Sequence, residues 1–224
     1  MTADRSTPRH EFVLASGSPR RRRMLADLGL RFTVDVPDVD EDWPDDDPDQ
    51  AVALARRKLG CVAARRSPGE LLLAADTIVH LDGRVLGKPT DEAAARAMLA
   101  RLSGREHTVT GGVAVGVVGA EMRTLRVDSR VRMQRLDAET IAEYVAGGSP
   151  MDKAGAYAVQ DDLGGRFPAV ETILARDRDG HYEPPPGAFL VAGVTGSLSN
   201  VIGLPLDPVL ELLRRQGLEV PRER

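Results

Sequence analysis

Four consecutive arginines, residues 20–23, follow a Ser-Gly-Ser-Pro turn at the start of a predicted helix. A helix start carries unpaired N–H groups and a partial positive charge, so each cation there costs about 0.3–1 kcal/mol. A bound anion offsets this cost, because small residues let the backbone approach a phosphate and arginine adds bidentate hydrogen bonds. We interpret Ser16, Arg20 and Arg21 as phosphate-binding residues, and Arg22 and Arg23 as a solvated basic face. The pattern matches neither a Walker A loop nor a dinucleotide fingerprint.

Only three of the 30 basic residues are lysines, namely Lys58, Lys88 and Lys153. This bias indicates that arginine is used wherever either cation suffices, so the lysines are candidates for positions that need a compact ammonium against a phosphate oxygen. A lysine is more often a surface residue, and that alternative stays open for each of them. Lys58 is expected on the polar side of a helix, Lys88 after a hairpin, and Lys153 in the stretch MDKAG.

Several cations around one anion suggest several phosphates, and hence a divalent cation such as Mg²⁺ or Mn²⁺. Asp76 follows the apolar run LLLAA, which places it at the end of a predicted buried strand. Asp40 and Glu41 lie in an acidic loop, where most members are expected to be solvated. Mg²⁺ needs only one or two carboxylates beside phosphate oxygens and water. The four histidines are scattered and have no Cys partner at metal-ligand spacing, which disfavours a zinc site.

Composition excludes several classes of protein. The net charge of −4 and the 4% aromatic content disfavour nucleic-acid and membrane-surface binding. No apolar run is long enough to span a bilayer and no signal peptide opens the chain, so we expect a cytoplasmic protein. The single cysteine, Cys61, rules out an internal disulfide and is expected to be a small buried residue rather than a nucleophile.

Strands and helices alternate along the chain, which predicts an α/β fold around a mixed sheet. Strands are predicted at 12–16, 31–36, 71–75, 78–81, 85–86, 108–118 and 123–134. Helices are predicted at 19–28, from about 49 to 62 with Val52, Ala55, Leu59 and Val62 on its apolar face, and at 91–103, 137–145 and 207–215. Residues 1–10 are expected to form a disordered tail, and residues 176–187 have the composition of a loop.

The motifs resemble those of the Maf proteins, also called septum formation inhibitor Maf. The matching stretches run through almost the whole chain in the family's order: LASGSPRR, VDE, AADTIV, LGKP, LSGREHTVTGGVAV, DKAGAYAVQ and SNVIGLPL. The resemblance implies one Maf-like domain over residues 1–224, with an elongated, mixed central sheet flanked by helices and two lobes around a cleft. It also implies likeness to the inosine triphosphate pyrophosphatases and metal-dependent cleavage of a nucleoside triphosphate to a monophosphate and pyrophosphate.

The resemblance assigns roles to individual residues. The family's catalytic base corresponds to Asp76, and Glu41 with Asp76 would bind the metal. The phosphate-binding residues correspond to Ser16, Arg20, Arg21, Lys58, Lys88 and Lys153. Three further positions separate a branch acting on dTTP and UTP from one acting on 7-methyl-GTP. They are occupied here by Arg20, Thr77 and Gln160, which resembles the dTTP/UTP branch.

The chain also departs from the family's pattern. Ser149 stands where the family usually has glutamate, and Asp161 where it usually has glycine. A segment within about 162–190 lengthens the link to SNVIGLPL and is expected to be an inserted loop that affects base selectivity or entry. The alternatives are a nucleotide-binding regulator of cell division without significant hydrolysis, or the same reaction on 7-methyl-GTP. Nucleic-acid binding is a more distant alternative, and the sequence leaves a homodimer open.

Overall fold

The computed structural model describes residues 10–41, 47, 49–163 and 167–220. Its strands are β1 Glu11–Ala15, β2 Arg31–Val34, β3 Leu71–Leu81, β4 Arg84–Leu86, β5 Glu106–Val117, β6 Arg123–Met133, β7 His181–Tyr182 and β8 Val191–Thr195. Its α-helices are α1 Pro19–Asp27, α2 Gln50–Ala63, α3 Glu92–Leu102, α4 Ala138–Ala146, α5 Val170–Asp179, α6 Leu198–Ile202 and α7 Leu206–Arg215. Short 3-10 helices span Ser149–Asp152, Ala154–Ala156 and Val159–Leu163. Apart from His10, the predicted tail lies outside the described residues.

The strands form one mixed sheet in the order β2-β1-β3-β5-β6-β8-β7, with β4 paired to β3. β1 is parallel to both β2 and β3, whereas β4 on β3 and β8 on both β6 and β7 are antiparallel. The predicted mixed α/β fold is therefore confirmed. Within the described ranges, no helix combines the length and hydrophobicity that crossing a membrane requires.

The chain divides into two compact units, in agreement with the two predicted lobes. The first unit comprises Met1–Asp76, Gly111–Arg126 and Gly203–Arg224, and the second comprises Thr77–Thr110 and Val127–Ile202. The chain first passes from one unit to the next within β3, between Asp76 and Thr77. The single domain over residues 1–224 stays a prediction.

The core of the first unit consists of small and branched apolar residues that join α2 to one face of the sheet. Successive side chains of a strand alternate between faces, so residues two apart share one face. The buried cluster contains Val13, Ala15, Leu72, Ala74 and Ala114 from the strands, and Ala55, Leu59 and Val62 from α2. The predicted apolar face of α2 is confirmed for these three helical residues, while Val52 is only half-buried.

Lys58 lies on the buried side of α2, so its predicted place on the polar side is wrong. Leu54, Ala55 and Lys58 recur at three- and four-residue spacing, which places them on the same helical face. Only 7% of Lys58 is exposed. Cys61 is only half-buried, so its expected burial is also wrong, and its Sγ lies 3.5 Å from the Asp38 carbonyl oxygen.

Gly112 of β5 allows the start of α2 to approach the sheet. A Cβ atom at this position would lie 2.1 Å from the carbonyl carbon and oxygen of Ala51 and 2.4 Å from the amide nitrogen of Val52. These are backbone atoms, which cannot rotate away as a side chain can. The glycine is therefore needed for close helix-to-sheet packing.

The predicted loop within residues 162–190 contains a helix and a strand. Val170, Ile173 and Leu174 are buried on one face of α5, and Gly180, with a φ of 64°, ends the helix. Of the predicted loop at 176–187, the first four residues form the last turn of α5, where Arg176 and Arg178 suit the negative end of the helix dipole, while residues 183–187 lie outside helices and strands as expected. Periodic apolar residues therefore outweigh the loop-like composition of the segment.

His107 of β5 is a buried histidine in the second unit. Its Nε2 lies 2.7 Å from the hydroxyl of Tyr157, and the two rings meet edge to face. Burial lowers the pKa of His107 to about 4. The imidazole is therefore neutral in the folded protein at neutral pH.

We predict that Gly112→Ala lowers the free energy of unfolding by about 2–3 kcal/mol or more, because the methyl group overlaps the backbone of α2. Gly60→Ala is the matched control, since a Cβ atom there meets nothing within 4 Å. The control should stabilise the protein by about 0.5–1 kcal/mol, because alanine favours a helix interior. Urea unfolding measures both values, and equal stability of the two variants would contradict the prediction.

We predict that His107 makes the folded protein less stable as the pH falls from about 6.5 to about 4. In that interval the unfolded chain binds a proton that the folded chain excludes, which is worth about 3 kcal/mol in total. Unfolding should be measured for the natural protein and His107→Gln between pH 4 and pH 8. The stability difference between them should change across this interval, and a constant difference would contradict the prediction.

Candidate active site

The turn between β1 and α1 is built as the sequence predicts. Ser18 caps α1 by accepting a hydrogen bond from the Arg21 amide, and Pro19 is the first helical residue. Ala15 of β1 lies opposite Ala74 of β3 in the parallel register. The turn is therefore placed beside the middle of β3, where Asp76 lies.

Asp76 lies within a continuous strand, so its predicted place at a strand end is wrong. β3 runs through Leu71–Leu81, whereas its parallel neighbour β1 stops at Ala15. The chain turns into α1 just beyond that point, so Asp76 faces the turn residues instead of another strand residue of β1. The end of β1, and not the end of β3, makes room for this carboxylate.

Arg21 is buried and contacts three oxygen atoms of the first unit. Its guanidinium donates to Ser16 Oγ at 3.1 Å, to the Ala75 carbonyl at 2.8 Å and to the Gly203 carbonyl at 2.8 Å. Burial lowers the pKa of Arg21 below its ordinary value, and the nearby Asp76 carboxylate opposes this shift. Arg21 thus orients the Ser16 hydroxyl and the residue before Asp76, while its direct contact with phosphate stays a prediction.

The other arginines of the run differ in exposure. Arg20 is half-buried, whereas Arg22 and Arg23 are exposed. Arg23 pairs with Asp27 one helical turn later, at 2.7 Å. Exposure confirms the prediction of a solvated basic face for Arg22 and Arg23.

A group of paired charges is formed by Lys58, Asp76 and Glu41. The Lys58 ammonium lies 2.5 Å from Asp76 Oδ1 and 2.6 Å from Glu41 Oε1. Side-chain exposure is 9% for Lys58 and 12% for Asp76, but 53% for Glu41. A buried ammonium therefore bridges one buried and one accessible carboxylate.

The acidic loop is held against α2 at the residue before Glu41. Arg57 donates a hydrogen bond of 2.6 Å to the Asp40 carbonyl oxygen. This contact places Glu41 over Lys58, which follows Arg57 on the helix. Residues 42–46 of the loop lie outside the described residues.

The two carboxylates fit an oxygen-binding divalent cation. Asp76 and Glu41 both reach one point, the position of the Lys58 ammonium. The described residues contain no group of three or more His, Cys, Asp or Glu side chains that could hold a metal by themselves. Two carboxylates with room for phosphate oxygens are the ligand set that Mg²⁺ commonly uses.

The remaining predicted phosphate residues lie on two adjacent loops of the second unit. The amide of Gly155 donates to the carbonyl of Gly87 at 3.1 Å, which joins the loop carrying Lys153 to the loop carrying Lys88. Gly155 has a φ of 72°, and a Cβ atom there would lie 3.1 Å from the Val79 side chain. Lys88 is exposed. The Lys153 ammonium donates to the Ser149 carbonyl and lies 2.7 Å from Asp152 Oδ1.

The predicted base-selecting residues of the second unit are Thr77 and Gln160. Thr77 is half-buried and follows Asp76 in β3. Gln160 is 9% exposed, and its buried Oε1 atom has no hydrogen-bond partner among the described residues. A buried amide oxygen without a partner is costly, so it is suited to accept a hydrogen bond from a ligand.

Sequence reasoning missed a second group of polar side chains, Tyr144, Ser149 and Asp161. Both hydroxyls donate to Asp161 Oδ2, each at 2.6 Å. In the sequence, Ser149 and Asp161 stand out only as departures from the family's pattern. The sequence does contain a signal for this group. It has a carboxylate at Asp161 where the family usually has glycine, and it lacks the usual glutamate twelve residues earlier, at Ser149.

A family model described as Maf-like protein matches residues 11–174 of the chain. A dTTP/UTP pyrophosphatase of Myxococcus xanthus is 45% identical over 211 residues, covering 93% of this chain and 94% of the relative. A dTTP/UTP pyrophosphatase of Symbiobacterium thermophilum is 42% identical over 212 residues, covering 94% of this chain and 96% of the relative. A solved HAM1 protein from Coxiella burnetii is 18% identical with a TM-score of 0.42, covering 75% of this chain and 100% of that one.

We predict that Lys58 and Asp76 are coupled in the stability of the protein without nucleotide or metal. Lys58→Met should cost about 3 kcal/mol or more, because it leaves a buried carboxylate without its cation. Asp76→Asn should also destabilise the protein. The double variant should be more stable than the sum of both losses by about 1–3 kcal/mol.

Urea unfolding of the four proteins measures this coupling. Glu41→Gln is the control, since the half-exposed Glu41 should contribute at most about 1 kcal/mol. Additive losses in the Lys58 and Asp76 variants would contradict the prediction.

Proposed function

The chain belongs to the Maf-like protein family, and on that premise we propose that it is a nucleoside triphosphate pyrophosphatase acting on dTTP and UTP. The reaction adds water to the α-phosphorus and releases the nucleoside monophosphate and pyrophosphate. The names of the two relatives support this assignment.

The observation that carries the proposal is the Lys58 ammonium between Asp76 and Glu41. Asp76 presents a carboxylate oxygen beside this ammonium, and a positioned carboxylate is a common general base toward water. Triphosphate oxygens near Lys58 would compete with the carboxylates for its three N–H donors. The same group can therefore hold a polyphosphate and provide a base.

Asp76 takes the role of general base in this reaction. It accepts a proton from the attacking water while Arg21 keeps the preceding Ala75 carbonyl in place. The bond between the α-phosphorus and the bridging oxygen breaks, and negative charge develops on the departing pyrophosphate. Lys58, Lys88 and Lys153 neutralise that charge, and Arg20 and Ser16 complete the contacts with the phosphates.

We propose that Asp76 and Glu41 hold a divalent cation, Mg²⁺ or Mn²⁺, when substrate is present. Such a cation neutralises phosphate charge and makes bound water more acidic. Lys58 keeps both carboxylates close together before binding and pairs with phosphate afterwards. Chelation by EDTA should remove activity, and added Mg²⁺ or Mn²⁺ should restore it.

Selection of a pyrimidine is assigned to Arg20, Thr77 and Gln160. The unpartnered amide oxygen of Gln160 can accept a hydrogen bond from N3–H of thymine or uracil, and its amide group can donate to a ring carbonyl. Cytosine presents an acceptor at N3, so at the same register it would face this oxygen with a lone pair instead of an N–H. This chemistry favours dTTP and UTP over CTP.

We predict pyrophosphate release from dTTP and UTP, with slower release from CTP, GTP and 7-methyl-GTP. Asp76→Asn should lower kcat by about 10²–10⁴-fold, because the base is lost while the shape is kept. Asp35→Asn is the matched control: Asp35 is also a paired carboxylate of the first unit, but it contacts Arg65, and the control should keep its activity.

Three results would contradict this proposal in different ways. Near-normal turnover by Asp76→Asn would remove Asp76 from the role of base. A preference for 7-methyl-GTP would overturn the assigned base while keeping the reaction. Saturable nucleotide binding without product in the presence of Mg²⁺ and Mn²⁺ would favour the nucleotide-binding regulator.

A further inference from the structure

Asp161 is the centre of a hydrogen-bond network in the second unit. Its Oδ2 atom accepts from the hydroxyl of Tyr144 and from the hydroxyl of Ser149, each at 2.6 Å. Short hydrogen bonds from hydroxyls to a carboxylate are stronger than those between neutral groups. Ser149 is therefore held by its side chain.

Tyr144 is the buried, well-packed member of this network. It is 9% exposed, its ring packs edge to face on Phe189, and its oxygen also accepts from the Ala158 amide at 3.3 Å. Burial, and then the hydrogen bond to Asp161, raise the pKa of Tyr144 far above its ordinary value. The hydroxyl therefore stays protonated and keeps donating to Asp161.

Ser149 connects Asp161 to Lys153. The Ser149 hydroxyl points to Asp161, while the carbonyl of the same residue accepts from the Lys153 ammonium. The Lys153 side chain is 11% exposed, so few other positions are open to it. A shift of Ser149 would move one of the two acceptors that orient the ammonium, the other being Asp152 Oδ1 at 2.7 Å.

We infer that Asp161 is a positioning residue that places the Lys153 ammonium for a polyphosphate ligand, acting through Ser149. The inference rests on the proposed function, since that function makes Lys153 a phosphate ligand. The two departures from the family's pattern, Ser149 and Asp161, are the two residues in direct contact. This chain thus supplies from position 161 a carboxylate that it lacks at position 149.

The aspartate that follows Asp161 has a separate task. Asp162 accepts hydrogen bonds from the amides of Phe189, Leu190 and Val191 at 2.7–2.8 Å, which holds the segment entering β8. Burial raises the pKa of Asp162, and these amides oppose that shift. The network around Lys153 therefore depends on Asp161 alone of the two aspartates.

Two physical effects predict opposite results for Asp161→Asn. Removing a negative charge near a bound anion should tighten binding if only distant electrostatics matters. If Asp161 positions Lys153, replacing its charge-assisted hydrogen bonds by neutral ones should weaken binding instead. The sign of the change therefore separates positioning from a general charge effect.

The first experiment measures binding of inorganic triphosphate to the full chain by calorimetry, with Mg²⁺ present. Asp161→Asn should weaken binding about tenfold in the natural background and less than about twofold in the Lys153→Met protein. Ser149→Ala should weaken binding in the same direction, without adding to the effect of Asp161→Asn. Asp82→Asn is the matched control, because this exposed aspartate of the same unit pairs with Arg105 and should leave binding unchanged.

The second measurement is kcat/KM for UTP in the same variants, with thermal unfolding to verify that each one folds. If Asp161→Asn does not fold, Ser149→Ala gives the same test. Equal losses with and without the Lys153 ammonium, unchanged or tighter binding by Asp161→Asn, or unchanged binding by Lys153→Met would each overturn the inference. Coupled triphosphate binding without pyrophosphate release from the natural protein would support the inference while rejecting the proposed function.

Discussion

An ammonium taken out of water must be paired, and this requirement at Lys58 organises the first unit. Lys58 lies on the buried side of α2, where it is stable only with the carboxylates of Asp76 and Glu41 beside it. These contacts join α2, β3 and the loop that carries Glu41 at the Lys58 ammonium. The cluster of small apolar residues beneath α2, and the absence of a side chain at Gly112, let the helix come close enough for the contact to form.

A second buried cation extends this arrangement to the start of α1. Arg21 uses its guanidinium to join Ser16, the Ala75 carbonyl and the Gly203 carbonyl. Ala75 directly precedes Asp76, so Arg21 fixes the backbone next to Asp76 while Lys58 binds its carboxylate. The helix-start arginines thus have different tasks, since Arg21 builds the site while Arg22 and Arg23 face solvent.

In the second unit, hydroxyl groups and a carboxylate hold a lysine side chain in place. Asp161 binds Tyr144 and Ser149, and the Ser149 carbonyl receives the Lys153 ammonium. Lys153 is thus oriented by partners that sequence reasoning did not assign to the site, whereas Lys58 is held by Asp76 and Glu41, which it did assign. A lysine needs such partners because its long side chain is otherwise free to adopt many rotamers.

Local patterns in the sequence determined the mixed α/β fold, the cap of α1 by Ser18 and the end of α3 before Gly104, while the resemblance to the Maf family assigned most of the candidate site residues. These features depend on neighbouring residues, so a single sequence contains their signal. Tertiary structure alone decided that Lys58 is buried, that β3 continues through Asp76, and that α5 forms where the composition indicated a loop. It also decided the contact between Ser149 and Asp161. Burial and pairing depend on which distant segments pack together, and no local stretch of residues determines the free energy of that packing.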